Sequence, residues 1–336
     1  MRNGAWLDAQ QFPELDWTVP GIISEGFGLL VAPPKAGKSW LVSGIGLASA
    51  AGGIALGWLR VDQRPVLYLA LEDGHRRLQD RFRKITCGQP ISEGINVIVR
   101  AQSHEVIPMI TEFLARQHRP ALVILDTLGK IKPPKQSYED SYQADYRIGS
   151  RLKDAVDTSK GSTLLVVHHT RKAESADFVD AVSGTQGIAG SADFVLVLSR
   201  KRHDDEAVLS VTGRDIPEAD YALKSDDGLW CLDGVSLPDA AETAEKRRLS
   251  DTRSDKSMRI FSAVASSPYP MSPAEVSETL GLDNDTVGRY LRRLAQDGYI
   301  KRTKRGQYQT VSEVSERPKQ PDSDTPDTSD TLWSGA

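Results

Sequence analysis

Ala32, Pro33, Pro34, Lys35, Ala36, Gly37, Lys38 and Ser39 have the spacing A-x-x-x-x-G-K-S, a P-loop pattern with Ala where the first Gly is usual. The apolar run Phe27 to Val31 before it reads as a buried strand. After it, Trp40, Leu41, Ile45, Leu47 and Ala48 repeat at helical spacing. In that strand–loop–helix setting, backbone N–H groups from about Ala36 through Trp40 curl round a phosphate at a helix N-terminus, where the helix dipole favours an anion. Lys38 then reaches the β- and γ-phosphates of a nucleotide, and the Ser39 hydroxyl ligates Mg²⁺. The candidate ATP-binding residues are Lys35, Ala36, Gly37, Lys38, Ser39 and Trp40. Pro33 and Pro34 lack an N–H but precede the donors that face phosphate. Ala32 is the departure, since Gly there permits a tighter turn.

Other polar groups follow apolar runs. Glu72 and Asp73 come after Leu67 to Leu71. A carboxylate here can polarise the water that attacks a γ-phosphate. Glu72 is assigned to the water, and Asp73 to the cap of a helix beginning near His75. Asp126 comes after Leu122 to Leu125 and reads as the Walker-B group that holds Mg²⁺ through water. His168 and His169 come after Thr163 to Val167, and neighbours on an extended chain point to opposite sides, so at most one faces the nucleotide. A zinc site would want a third ligand at metal spacing. A neutral imidazole sensing the γ-phosphate is better supported. Arg214 comes after the strand Ala207 to Val211, and either projects into a neighbouring subunit or pairs locally with Asp215.

These groups need a scaffold that gathers them. Runs rich in Val, Ile and Leu lie at 27–31, 66–71, 95–99, 121–125, 163–167 and 194–198, separated by helical segments. Near-continuous hydrophobic strands of this kind form a mainly parallel sheet covered on both faces, an α/β fold with ligands at the carboxyl ends of its strands. Trp17, Val19, Ile22 and Ile23 in the entry segment 1–26 are expected to pack over the sheet edge next to the nucleotide. A hairpin through Ala222-Leu223 and Leu229-Trp230-Cys231 turns at Asp227-Gly228. Two long polar loops, 129–141 with Lys130, Lys132 and Lys135, and 171–191 with Arg171 and Lys172, either grip a phosphate backbone or carry solvated surface charge.

The 336 residues leave room for one large and one small domain. The net charge of -4 gives no global nucleic-acid signature, so any such affinity is local. Cys87 and Cys231 lie far apart and read as reduced thiols. No apolar signal core follows Met1 and no run is long enough to cross a membrane, so the expectation is a cytoplasmic protein without a membrane partner.

Residues 235–255 lack an apolar stripe and read as a linker with one short helix. Residues 256–311 read as a winged helix-turn-helix that binds duplex DNA, with a protein-interaction module as the alternative. Ile260, Phe261 and Val264 give one apolar helix face. Ser272 precedes Pro273 as an N-cap, and Gly281 ends that helix. A third helix from about Asn284 to Gln296 turns Val287, Tyr290, Leu291 and Leu294 inward, and Thr286, Arg289, Arg292 and Arg293 outward. Lys301, Arg302, Lys304 and Arg305 form a basic wing. Residues 312–336 read as a disordered acidic tail.

Ala32 to Ser39, Leu69 to Asp73, Leu125 to Leu128, Val167 to Lys172 and Val211 to Asp215 occur in an order that is hard to reach by chance. Through them, residues 15–233 resemble the RepA-like ATPases of the RecA/DnaB superfamily, found on plasmids, phages and integrated elements. The resemblance implies a RecA-like P-loop core over 1–234, in a ring that is usually hexameric, with ATP between subunits. It implies the water-activating glutamate at Glu72, the Walker-B aspartate at Asp126, a polar sensor at His169 and an arginine finger for the neighbouring subunit at Arg214. It also implies single-stranded DNA contacts in the ring channel from the loops carrying Lys130, Lys132, Arg171 and Lys172. The expected function is an ATP-hydrolysing motor or helicase-type ATPase serving replication of a mobile element. The alternative is an ATP-switched DNA-binding regulator, or a replication initiator or loader without unwinding activity. A small-molecule kinase is weaker, because neither an arginine-rich lid nor an acceptor pocket is evident.

Overall fold

The computed structural model describes residues 2–131, 141–169, 186–200, 204–304 and 306–310. Its elements are α1 (Gly4–Asp8), β1 (Trp17–Val19), β2 (Ile23–Ser24), β3 (Gly26–Ala32), α2 (Lys38–Ala51), β4 (Ile54–Ala55), β5 (Leu59–Arg60), β6 (Val66–Ala70), α3 (His75–Ile85), β7 (Ile95–Ile98), α4 (Val106–Ala115) and β8 (Leu122–Asp126). They continue with a 3₁₀ turn (Leu128–Lys130), α5 (Ser141–Asp157), β9 (Thr163–His169), α6 (Gln186–Ala189), β10 (Phe194–Arg200), β11 (Glu206–Gly213), β12 (Ala219–Asp226), β13 (Leu229–Leu232), α7 (Leu237–Ser266), α8 (Pro273–Leu280), α9 (Asn284–Gln296), β14 (Ile300–Lys304) and β15 (Gln307–Thr310). They form two compact units, residues 1–248 and 249–336.

The first unit is built on a nine-stranded sheet in the order β13-β12-β11-β10-β3-β9-β8-β6-β7. From β10 to β7 the neighbours are parallel, and β10 to β13 pair antiparallel. All the apolar runs seen in the sequence fall in the parallel part. Five of the six are buried almost throughout because both faces are covered, while β7 at the edge exposes Asn96 and Val97. Leu30, Ile124 and Leu165 pack with Leu41 and Ile45 of α2 and Leu78 and Phe82 of α3. Leu29, Val123 and Val166 pack on the other face with Ile110 of α4 and Leu152 of α5. Each such side chain, fully buried, contributes about 1.5–3 kcal/mol. The β12–β13 hairpin turns at Asp227 (φ 47) and Gly228 (φ 92), both left-handed, as a two-residue hairpin turn demands. Among the described residues no helix is long and apolar enough to cross a membrane.

Two expectations are corrected. The entry segment does pack on the core through Val19, Ile22 and Ile23. It does so at the amino ends of the strands, away from the P-loop. Thr18 Oγ1 lies 2.8 Å from Thr163 Oγ1 at the start of β9, and Arg64 Nη2 donates to Asp16 Oδ1 and to Trp17 O, each at 2.6 Å. Residues 235–255, read as a linker, instead lie largely within α7. Its first turns need no apolar stripe, because Ala240 and Ala244 are the side chains fully buried, with Leu237 packed against the core at the start. Arg247 then fixes the helix to the sheet by donating to Ala207 O at 3.0 Å and Asp233 Oδ2 at 2.5 Å. Alanine, glutamate, lysine and arginine are strong helix formers, which carries the segment without a stripe.

The second unit closes on Ile260, Val264, Val276, Val287, Leu291, Leu294, Ile300 and Tyr308. Ser272 and Glu275 form a reciprocal capping box, with Pro273 in the first turn of α8, and Gly281 (φ 62) ends the helix. Asp283 caps α9 by accepting from Thr286 N at 2.9 Å. The β14–β15 hairpin follows, with Met271 bridged to Tyr308, so three helices and a wing form a winged helix-turn-helix.

Candidate active site and nucleic-acid interface

Ala32 is the last residue of β3, paired in parallel register with His169. The left-handed backbone of the P-loop falls instead at Lys35 (φ 66) and Gly37 (φ 98), so Ala at position 32 meets no conformational penalty. A Cβ on Gly37 would come within 2.9 Å of the Trp230 ring, and Trp230 Nε1 donates to Gly37 O at 3.1 Å. The hairpin at the far end of the sheet thus braces the loop. The expected set of phosphate-facing donors narrows, because Ala36 N donates to Pro33 O at 3.3 Å and Trp40 N to Gly37 O at 3.1 Å. Gly37, Lys38 and Ser39 supply the remaining first-turn N–H groups. The Trp40 ring lies against Gly228, with the Arg81 guanidinium and the Lys84 ammonium each 5.6 Å from its centroid.

Lys38 is buried, and its Nζ donates to Ala32 O and Pro33 O, each at 2.7 Å. Burial pulls its pKa down to about 8, against the opposing charges of Asp126 and Glu72. Asp126, at the carboxyl end of β8, is also buried and accepts from Tyr68 Oη at 3.1 Å. Burial raises the Asp126 pKa, and hydrogen bonds from the Ser39 and Tyr68 hydroxyls oppose that shift. Ser39 and Asp126 therefore meet at the mouth of the P-loop. A hydroxyl and a carboxylate there are the hard oxygen donors that suit Mg²⁺, and they are the residues that would hold it.

Glu72 leaves the carboxyl end of β6, and its Oε2 lies 3.6 Å from His169 Nε2 at the end of β9. The order β9-β8-β6 sets Asp126 on the strand between them. The buried Nδ1 of His169 has no hydrogen-bond partner among the described residues. Asp73 does not cap α3 as expected. The N-cap is Gly74, with no side-chain bond, and the Asp73 carboxylate instead pairs with Arg81 at 2.7 Å and Arg77 at 3.3 Å. A guanidinium as buried as Arg81 needs an anion beside it, and Asp73 is the neighbour that supplies one.

Arg214 is not gathered into this site. Gly213 pairs with Phe194 at the start of β10, so Arg214 sits at the amino ends of the parallel strands, about 20 Å of strand away from its own P-loop. It is 58% exposed, donates to Gly190 O at 3.2 Å, and pairs with Asp193 at 3.8 Å rather than with Asp215. Lys130 is exposed just beyond Asp126, on the 3₁₀ turn. Lys132, Arg171, Lys172 and Arg305 lie outside the described residues. On α9, Arg289, Arg292 and Arg293 are exposed, with Arg289 Nη2 3.4 Å from Thr286 Oγ1. Lys301, Arg302 and Lys304 are exposed along β14. Sequence reasoning missed Tyr68, Arg81 and Trp230. Only Tyr68 leaves a local sign, a lone hydroxyl in an otherwise apolar strand.

A family model described as an AAA domain matches residues 3–175, just over half of the chain, and the chain belongs to that family. A second model, the IclR helix-turn-helix domain, matches residues 255–304. The expected class, a P-loop α/β core with a mainly parallel sheet and a C-terminal helix-turn-helix domain, is the one observed. No curated protein matches the sequence. Among solved structures, one isolated ATPase domain is 13% identical with a TM-score of 0.49, over 62% of this chain and 84% of that one. A DnaB-like replicative helicase, solved for its interactions with primase, is 13% identical with a TM-score of 0.48, over 61% of this chain and 57% of that one. The RadB recombinase is 15% identical with a TM-score of 0.44, over 63% and 90%.

Proposed function

We propose that this chain is an ATP-hydrolysing DNA-binding protein, a ring-forming motor that serves DNA replication. The observation that carries the reading is the convergence of Lys38, Ser39, Asp126, Glu72 and His169, from four separate strands, on one carboxyl edge of the sheet. Lys38 and the first-turn N–H groups of α2 hold the phosphates. Ser39 and Asp126 hold Mg²⁺, which when bound neutralises charge developing on the β- and γ-oxygens. Glu72 orients the attacking water and takes its proton, and His169, beside it, senses the γ-phosphate.

The position of Arg214, exposed at the opposite end of the sheet from its own P-loop, supports a role in a neighbouring subunit's site. A hexameric ring is the assembly proposed, with Lys130, Lys132, Arg171 and Lys172 facing single-stranded DNA in its channel. The winged helix reads duplex DNA through Thr286, Arg289, Arg292 and Arg293, and grips phosphates through Lys301, Arg302, Lys304 and Arg305. The winged helix is proposed to span 256–311, and the ATPase core to extend past 234 into the first turns of α7, which pack on its sheet. The test is ATP turnover with and without oligo-dT, read beside the mass of the particle with ATP. Turnover that rises with oligo-dT in a large ring supports a motor. Turnover indifferent to single strands, with ATP changing affinity for a duplex, makes the chain a nucleotide-switched regulator.

A further inference from the structure

Glu72 sits on a short turn between β6 and α3 that has little to hold it. Its backbone is tied by Leu71 N to Asp126 O at 2.7 Å and Asp73 N to Ala70 O at 3.1 Å, and the helix that follows begins at Gly74 without a side-chain cap. The Glu72 carboxylate is half exposed, with His169 3.6 Å away. Next to it, Asp73 is the turn's buried side-chain anchor. Its carboxylate and the Arg81 guanidinium are each only 8% exposed and lie 2.7 Å apart. Arg81 also lies 5.6 Å from the centroid of the Trp40 ring, on the first turn of the P-loop helix. Its neighbour Phe82 stacks on Tyr68, the residue that holds Asp126, with ring centroids 6.2 Å apart.

We infer that Arg81 is a positioning residue for ATP hydrolysis: through Asp73 it sets the turn carrying Glu72 at a fixed place against the P-loop helix. A buried ion pair is a poor device for stability, because desolvation offsets most of the attraction. This one leaves Arg81 Nε and Nη1 without a hydrogen-bond partner among the described residues, so it is an ion pair not optimised as a hydrogen-bonded one. What it does achieve is geometric. A guanidinium fixed against Trp40 and a carboxylate one residue from Glu72 fix the distance between the phosphate loop and the water-activating group. A displacement of about 1 Å at a reacting group is enough to lose about 10² in rate.

The inference rests on the reading of the chain as an ATPase with Glu72 as its water-activating group. The test is a double-mutant cycle on the full-length chain. Arg81→Ala and Asp73→Asn should each lower kcat by about 10–10², with the affinity for a non-hydrolysable ATP analogue changed by less than about threefold. Arg81→Lys should recover part of the loss, and it serves as the second variant if Arg81→Ala does not fold. In the Glu72→Gln background, Arg81→Ala or Arg81→Lys should remove little more, because a residue acting through Glu72 has nothing left to position. Losses that add fully to that of Glu72→Gln, or that appear in analogue affinity instead of kcat, overturn the inference and leave the ATPase reading intact. A wild-type chain that binds the analogue without turnover, or a Glu72→Gln chain as active as wild type, overturns both.

Discussion

The two units assemble function in opposite ways. In the second, the exposed residues that would meet DNA lie between Thr286 and Lys304, on one helix and the strand that follows it. Helix spacing alone separates Val287, Leu291 and Leu294, which are buried, from Arg289, Arg292 and Arg293, which are not. In the first, Lys38, Glu72, Asp126 and His169 span well over a hundred residues and meet only because β3, β6, β8 and β9 share a sheet in one order. A local surface can be lost by local change alone, whereas an assembled site can be damaged from any element that holds one of its parts.

The largest test of that contrast asks whether the first site is complete within one chain. Arg214 lies at the far end of the sheet from Lys38, so it should act on a neighbour. Arg214→Ala should lower kcat by about 10³–10⁵, and mixing it with Lys38→Ala subunits should restore part of the turnover, because one kind of junction then has both groups. Mixed particles that form without recovery would confine Arg214 to its contacts with Asp193 and Gly190.

Next comes independence. Leu291 is fully buried in the second unit's core, and Leu291→Ala should destabilise that unit by about 2–5 kcal/mol. Calorimetry should find its melting temperature lowered while ATP-analogue affinity is unchanged. A fall in nucleotide affinity would mean that the local unit is not energetically separate.

The DNA surface gives a third, smaller expectation. Replacing Lys301, Arg302, Lys304 and Arg305 by Ala should weaken duplex binding on all sequences and flatten the salt slope by up to about four units, as measured by titration at several salt concentrations. Arg289→Ala or Arg293→Ala should instead relax preference at particular base pairs, by about 1–3 kcal/mol each. A wing variant with an unchanged slope would move the phosphate contacts elsewhere.

The smallest effect sharpens the comparison most. Trp230 lies nearly two hundred residues from Gly37 and donates to its carbonyl. Trp230→Phe keeps an aromatic ring, though a smaller one, and removes one hydrogen bond, about 0.5–1.5 kcal/mol, and should weaken nucleotide binding by up to about tenfold. Equal affinity in isothermal titration would make the hairpin a passive cover.

Most of the scaffold was legible in the residues. Five of the six parallel strands were visible as apolar runs because both their faces are buried, which leaves no polar alternation to mislead. At the edge, β7 shows itself through Ile95, Val97 and Ile98, although Asn96 and Val97 are exposed. The ends of α8 were visible because Ser272, Pro273 and Gly281 act on their own backbone. Less visible were elements that depend on distant contacts. The start of α7 looked like a linker because its buried side chains are alanines. Asp73 looked like a cap because it precedes α3, but Gly74 takes the N-cap and the Asp73 carboxylate pairs with Arg77 and Arg81 further along the same helix.

The sequence by itself determined the groups able to do chemistry and the class of fold that carries them. Gly37-Lys38-Ser39, the carboxylates that end β6 and β8, and the basic face of α9 are local patterns, set by residue type and chain geometry. The tertiary structure alone decided which of those groups meet. It joined Glu72 to His169, Tyr68 to Asp126 and Trp230 to Gly37, and it set Arg214 at the opposite end of the sheet. Such pairings follow from strand order and from the closure of side chains around buried charges. Both arise from packing the whole chain, and no short stretch of residues records them.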